Sequence, residues 1–285
     1  MSDPSAVFGV TETISEAVHT FHLDTDEMPE LIPLGLPAFD VELGGLGPKA
    51  CGILAAATGV GKSSIALAGM LESPVKVGMV SLEDGPDVVG TRLLSALTGI
   101  NSIDIRRKKL DDAQLAHIAS VANADQLEKL FFSYPIAGSI EMVEKSIDNL
   151  CARGCRLIWV DYLQEIRGHG NGDRRNEVSE AITRCHRACA KGDAALMCIS
   201  QFRRLGDGEK VPQIYHLKES GDLENKARII LLAHKDSSNP DDDGQRVRVR
   251  LAKSTYGCEW LTFDYVRDAS GTLRRTSLFD EMEDF

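Results

Sequence analysis

Several things are scarce in this sequence, and each scarcity excludes a class of protein. No run approaches eighteen apolar residues, so no transmembrane helix is predicted. The first thirty residues carry no Lys or Arg, which argues against the basic start of a secretory signal. The seven cysteines include no CxxC pair, and an odd count in a chain of 285 residues does not suggest a disulfide framework. Cys151/Cys155 and Cys185/Cys189 are each four apart, which on a helix puts both sulfurs on one face. With no nearby His pattern they read as packed thiols of a reducing cytosol rather than zinc ligands. No internal repeat or low-complexity linker divides the chain.

A global positive field is also missing: the net charge is −11. The acids are concentrated at the ends. Residues 1–30 hold seven (Asp3, Glu12, Glu16, Asp24, Asp26, Glu27, Glu30), and residues 278–285 hold four (Asp280, Glu281, Glu283, Asp284), with no base in either stretch. The body between them is neutral, with 32 acids against 32 bases. Any nucleic-acid contact must therefore come from a local basic patch.

What is present is alternation. Buried strands are predicted at Gly52–Ala56, Val75–Ser81, Leu130–Ser133, Leu157–Val160, Ala195–Ser200 and Ile229–Ala233. Helical stretches intervene at about 62–72, 86–98, 111–127, 139–152 and 175–191. This pattern predicts an α/β fold with a mainly parallel central sheet. Val247–Ala252 and Trp260–Tyr265, with Gly257 between, predict an antiparallel C-terminal extension. The expected organisation is an acidic arm over 1–30, one domain over 31–270 and an acidic tail over 271–285. In the arm, Thr13-Ile14-Ser15-Glu16 has capping-box spacing, and Ile14, Val18 and Phe21 share a helical face that needs a surface to lie on.

The chemistry starts where the first strand ends. Ala56-Ala57-Thr58-Gly59-Val60-Gly61-Lys62-Ser63-Ser64 fits the phosphate-binding P-loop, with Ala56 in place of its first glycine. Gly59 and Gly61 let backbone N–H groups turn around phosphate oxygens, and the helix N-terminus adds its positive end. Residues 57–64 are thus the candidate ATP cradle. Lys62 would reach the β- and γ-phosphates, and the Ser63 hydroxyl would ligate Mg²⁺. A second Mg²⁺ anchor must come from another strand end. Leu157-Ile158-Trp159-Val160-Asp161 offers Asp161, at the edge where open α/β sheets bind ligands. Hydrolysis needs a group to activate water. The strand after the P-loop helix ends in Glu83, the candidate base, with Asp84 as fallback. A fourth strand ends in Ser200-Gln201, and the Gln201 amide could sense the γ-phosphate.

These four features in this order resemble the motor domain of the DnaB family of ring helicases. Other stretches agree. Ile32-Pro33-Leu34-Gly35-Leu36-Pro37-Ala38-Phe39-Asp40 with Gly44-Gly45-Leu46 resembles the family's opening segment. Asp161-Tyr162-Leu163-Gln164 resembles its metal-acid motif, and Leu217–Glu224 its DNA-facing loop. Ala252-Lys253 followed by Gly257 resembles its trans-acting finger strand. The resemblance covers about residues 31–268 and implies a RecA-like P-loop NTPase. It implies a hexamer with ATP and Mg²⁺ at subunit interfaces and single-stranded DNA through the channel. It assigns Glu83 as base, Gln201 as sensor and Lys253 as the group acting on a neighbour's nucleotide. Lys218, Glu219 and Gly221 would meet DNA, with Arg203 and Arg204 as helpers. Arg174 and Arg175 beside the Gly-rich loop 168–173 read rather as a solvated loop, and Arg106-Arg107-Lys108-Lys109 as a solvated face.

Two departures stand out. The family's finger arginine lies two residues after the lysine matched by Lys253. Here that residue is Thr255, which leaves Lys253 alone or Arg248 or Arg250 as substitutes. The family's primase-binding N-terminal domain is expected to be missing, so the resemblance implies a phage, plasmid or mobile-element helicase, or a specialised paralogue. Primase, polymerase and a loader are the candidate partners, and bacterial or phage-infected cytoplasm the expected compartment. The alternatives are a RecA-, RadA- or KaiC-like DNA-associated ATPase that does not unwind, and a nucleotide-dependent scaffold that hardly turns over. The Leu278–Phe285 tail reads as a solubilising end, the alternative being an acidic, Phe-ended tail that recruits polymerase or competes with DNA.

Overall fold

A computed structural model gives the structure of residues 30–275, apart from 123, 125, 126, 137, 169–172, 203–210, 218, 219, 236–244 and 258–260. The amphipathic segment of the arm and the tail from residue 276 lie outside the described residues.

Nine strands are described: β1 Cys51–Ala56, β2 Val77–Ser81, β3 Leu130–Ser133, β4 Leu157–Asp161, β5 Ala195–Gln201, β6 Ile229–Lys235, β7 Arg246–Ser254, β8 Thr262–Arg267 and β9 Leu273–Arg275. They form one sheet in the order β3-β2-β4-β5-β1-β6-β7-β8-β9. Strands β1 to β6 pair in parallel, and β7, β8 and β9 continue the sheet in antiparallel fashion. The pattern of burial follows the pairing. In β1, β2 and β4 every residue is buried, as expected of central strands covered on both faces. In β7, Val247, Val249 and Leu251 are buried while Arg246, Arg248 and Arg250 alternate with them half-exposed.

The described α-helices are α1 Pro37–Leu43, α2 Lys62–Glu72, α3 Pro86–Thr98, α4 Ser102–Arg107, α5 Asp112–Ala122, α6 Ile140–Ala152, α7 Arg174–Lys191 and α8 Ser220–Lys226. Local chemistry sets their ends. Ser139 accepts from the Met142 amide to start α6, and Asp173 accepts from the Arg175 amide to start α7. Pro86 opens α3, and Gly99, with φ 72°, closes it. Helix α6 buries Ile140, Val143, Ile147 and Leu150, and α7 buries Val178, Ala181, Ile182 and Cys185, both at helical spacing. Each large apolar side chain so buried contributes roughly 1.5–3 kcal/mol. Among the described residues no helix is long and apolar enough to cross a membrane.

Several sequence expectations shift. Helices α1, α4 and α8 are too short to show a periodic stripe, and the sequence pattern does not predict them. Helix α5 stops at Ala122 rather than about 127. The sheet also runs past residue 270, where the tail is expected to begin, because Leu273–Arg275 pairs with Tyr265–Arg267. Arg174 stands on the first turn of α7, with Arg175, rather than in the loop before it. Helix α6 ends at Ala152, so Cys155 lies beyond it and shares no helical face with Cys151. Cys155, Cys185, Cys189 and Cys198 are buried. Burial pushes all four thiols up, Cys155 to about 12, so they stay protonated at neutral pH.

Candidate nucleotide site

The sheet order brings the sequence candidates to one edge. Strands β2, β4, β5 and β1 are consecutive neighbours, and each presents its carboxyl end to the same side. Glu83 follows β2, Asp161 ends β4, Gln201 ends β5, and the loop Ala57-Thr58-Gly59-Val60-Gly61 follows β1. The register fixes their levels: Ser81 lies opposite Asp161, and Ala56 opposite Gln201. Glu83 does not approach by following the next strand over, because β5 and β4 stand between β1 and β2. It arrives from the far side of Asp161, whose carbonyl accepts from the Leu82 amide at 2.8 Å.

The loop turns into α2 through two left-handed glycines, Gly59 at φ 80° and Gly61 at φ 117°. At Gly61 a side chain is excluded by space as well as by conformation. A Cβ there would stand 2.6 Å from the Leu273 side chain and 3.3 Å from the Arg267 guanidinium. Strands β8 and β9 therefore brace the P-loop from behind. Sequence reading missed both residues, since nothing in their local pattern points to the loop until β9 is known to join the sheet.

Lys62 is buried, and its Nζ donates to the carbonyls of Ala56 at 3.4 Å and Ala57 at 3.3 Å. Burial lowers its pKa, while the nearby Asp161 and Glu83 carboxylates pull it back up. Asp161 is only 3% exposed. Burial raises its carboxyl to about 6, against the hydrogen bond it receives from Ser63, with Glu83 and Asp84 adding repulsion. Its Oδ1 is buried with no hydrogen-bond partner. A buried carboxylate oxygen left unpaired beside a serine hydroxyl suits a hard cation that takes few protein ligands.

The two acids after β2 differ in freedom. Asp84 is in an ion pair with Arg92, and its carbonyl accepts from the Ser81 hydroxyl at 2.8 Å. Glu83 is exposed and has no side-chain partner among the described residues. On the other flank, the Gln164 amide donates to Ser200 Oγ at 2.9 Å, and Gln164 Oε1 accepts from the Gln201 amide at 3.4 Å. The segment after Asp161 is thus hydrogen-bonded to the end of β5. Arg174 secures it further by donating to the carbonyls of Gln164 and Ile166.

Lys253 stands at the opposite edge of the sheet. It lies across from Ile230, beside the start of β6, and its Nζ donates to the Glu224 carbonyl in the last turn of α8. A strand the length of β1 spans ~20 Å, so Lys253 cannot reach the P-loop of its own chain. The proposed substitutes Arg248 and Arg250 sit further along β7 and are engaged. Arg248 makes two 2.9 Å hydrogen bonds to buried Asp264, and Arg250 donates to the Pro212 carbonyl and the Gln213 side chain. Of the DNA-binding candidates, Gly221 lies in α8, close against Arg175. Lys218, Glu219, Arg203 and Arg204 lie outside the described residues. The flanking residues are joined, since Phe202 and Leu217 form an isolated antiparallel bridge.

A glycine-rich loop after β1, a buried acid ending β4 and a polar residue ending β5, in this sheet order, match the RecA-like fold. Residues 32–261 match the DnaB-like helicase C terminal domain family, and the chain belongs to that family. Its relatives include the probable plasmid replicative DNA helicase of Chlamydia muridarum, 25% identical over 90% of this chain and 57% of that protein. The replicative DNA helicase DnaB of Rickettsia bellii is 30% identical over 72% of this chain and 45% of its own length. The chain spans about half the length of the curated relatives it matches. Two solved structures share the fold at 20% identity. One is described as an ATPase domain, with a TM-score of 0.80 over 94% of this chain and all of that one. The other is a DnaB-like replicative helicase described with primase, with a TM-score of 0.79 over 94% of this chain and 68% of that one.

Proposed function

We propose that the chain is the ATP-hydrolysing motor of a ring-forming replicative DNA helicase that moves on single-stranded DNA. The observation that carries this reading is the convergence of Lys62, Ser63, Asp161, Glu83 and Gln201 on one sheet edge, with the buried Asp161 Oδ1 unpaired. Family membership supplies the choice of nucleic acid over other uses of the fold. No feature of the site favours a recombinase or a scaffold instead.

In this reading, residues 57–64 cradle the triphosphate with backbone N–H groups and the N-terminus of α2. The long Lys62 contacts to two carbonyls are ones a phosphate oxygen would replace. Ser63 and Asp161 would hold Mg²⁺, which neutralises charge on the phosphate oxygens. Glu83 takes a proton from the attacking water. As the water oxygen bonds to the γ-phosphorus, the bond to the bridging oxygen breaks, leaving ADP and phosphate. Gln201 feels the loss of the γ-phosphate and passes it through the Gln164–Ser200 contact to the segments flanking the Phe202–Leu217 bridge. Lys218, Glu219, Gly221, Arg203 and Arg204 are the proposed DNA contacts, and Lys253 serves a neighbouring subunit of a hexamer. A primase contact is proposed by likeness to the helicase described with primase. The cytoplasm of a bacterium or of a phage-infected host is the implied compartment.

The test is ATP hydrolysis with and without single-stranded DNA, alongside unwinding of a forked duplex. Glu83→Gln should lower turnover about a hundredfold or more while nucleotide still binds. Hydrolysis indifferent to DNA, with no unwinding by an assembled ring, would overturn the helicase reading.

A further inference from the structure

At the sheet edge opposite the P-loop, a recess of about 220 Å³ is lined by Lys49, His186, Lys226, Arg228, Lys253 and Thr255. Among the described residues no acid lines it, although Lys49 pairs with Asp193 at 3.8 Å and the chain carries 43 acids against 32 bases. Its floor is Ala50 and Cys51, where β1 begins, so the whole length of β1 separates it from the loop where β1 ends. Such a concentration of positive charge marks an anion site. The distance rules out the phosphates bound by the same chain. A head-to-tail arrangement of identical chains brings one surface of a subunit against a different surface of the next, as this geometry requires.

We propose that Arg228, together with Lys253, contacts the γ-phosphate of a nucleotide held by the P-loop of a second copy of this chain. The proposal rests on the ring reading above and adds to it a residue that reading does not contain. The pairing of β6 with β7 places it. Ile229 lies opposite Ser254 and Ile230 opposite Lys253, and the Thr255 amide donates to the Arg228 carbonyl at 2.9 Å. Arg228 and Thr255 are therefore directly opposed, with side chains on one face and Cβ atoms about 4.5–5.5 Å apart. Lys253 lies two residues from Thr255 on that same face. A guanidinium from position 228 thus enters the space that an arginine at 255 would enter from the other strand.

Availability points to the same residue. Arg228 is exposed, and its side chain has no partner among the described residues. Arg248 and Arg250 are held by Asp264, Pro212 and Gln213, away from the recess. An arginine also suits the task better than the recess lysines, because its planar fork can bond two phosphate oxygens at once. Arg228 makes no covalent bond during hydrolysis. It compensates the charge that grows on the phosphate oxygens while Glu83 of the nucleotide-bearing subunit accepts the proton.

The experiment compares the wild-type chain with Arg228→Ala, Arg228→Lys and the double variant Arg228→Ala/Thr255→Arg. It measures assembly, turnover, KM for ATP and affinity for single-stranded DNA. Arg228→Ala should lose about a hundredfold or more in kcat with little change in KM or assembly. Thr255→Arg should recover at least a tenth of that loss in the Ala background. Subunits of Arg228→Ala mixed with Lys62→Ala subunits should exceed the sum of their separate rates, because each boundary between them can hold one intact half from each. A ring of Arg228→Ala subunits at full rate, or mixing without gain, overturns the proposal and leaves the helicase reading standing. Lost DNA affinity at unchanged turnover would assign the recess to nucleic-acid phosphates and overturn it too. Failure of Arg228→Ala and Arg228→Lys to assemble would make Arg228 a subunit contact instead. A wild-type chain that binds ATP yet stays monomeric would remove the ring reading, and this proposal with it.

Discussion

Replacing Asp161 with asparagine should stabilise the nucleotide-free protein while abolishing its response to Mg²⁺ and ATP. The carboxyl titrates at about 6 in the folded chain, chiefly through burial, against about 3.9 when solvated. A folded value above the unfolded one favours folding with the proton on, so stability declines as pH rises through about 6. Above pH 7 the ionised carboxylate costs the fold about 3 kcal/mol. Asparagine removes that cost and can still accept from Ser63. It leaves an amide N–H where Oδ1 had no partner, which costs about 1–2 kcal/mol. The net gain of about 1–2 kcal/mol should raise Tm by roughly 3–6 °C at pH 8. The advantage should be gone by pH 4, where the folded carboxyl is protonated and the unfolded one about half so. With Mg²⁺ and ATP at a hundred times Kd, wild type should gain about 2.7 kcal/mol and the variant little. Thermal melts from pH 4 to 8, in chelator and in Mg²⁺–ATP, give the comparison. A variant less stable than wild type in chelator at pH 8 would refute the reasoning, since Asp161 would then be a stabilising rather than a strained carboxylate.

Gly61→Ala should abolish nucleotide binding and lower Tm, because the added methyl meets Leu273 at 2.6 Å on a backbone at φ 117°. Such strain costs about 1–3 kcal/mol, and equilibrium binding of a fluorescent ATP analogue reads the loss. Gln164→Ala removes both bonds to the end of β5. Stimulation of hydrolysis by single-stranded DNA should fall severalfold while basal turnover holds, and parallel ATPase assays with and without DNA check it. Arg92→Ala frees Asp84 from its ion pair. Because Glu83 is the proposed base, turnover should change by less than about threefold, whereas a large loss would move the base to Asp84.

Much of the site was legible because its residues sit at the ends of short apolar runs. Val75–Ser81 and Leu157–Val160 are unbroken enough to read as covered parallel strands, and the acid that follows each run marks the ligand edge. The β3-β2-β4-β5-β1 order is another matter. Chain adjacency suggested that Glu83 lies next to the P-loop, yet two strands separate β2 from β1. Glu83 nonetheless comes to the same sheet edge as the loop, with Asp161 between them. The bracing of Gly61 by Arg267 and Leu273 was invisible, since β9 is three residues long and carries no pattern of its own. The partner of Thr255 was equally hidden. Arg228 precedes its strand by one residue and becomes meaningful only once the β6–β7 register is fixed. The engagement of Arg248 with Asp264 likewise depends on pairing between β7 and β8. Local sequence reports what a segment buries, while cross-strand partnership depends on residues far along the chain.

Strand β1 begins at the basic recess and ends at the P-loop, and it is buried along its whole length between β5 and β6. A strand clamped on both sides by parallel neighbours behaves as a fixed spacer. In a closed ring of such subunits, the gaps between them share a constant circumference. Tightening one gap around its triphosphate then shifts a rigid body whose far end forms the next gap. In the proposed ring, turnover at one site would then be mechanically coupled to the next through one six-residue strand.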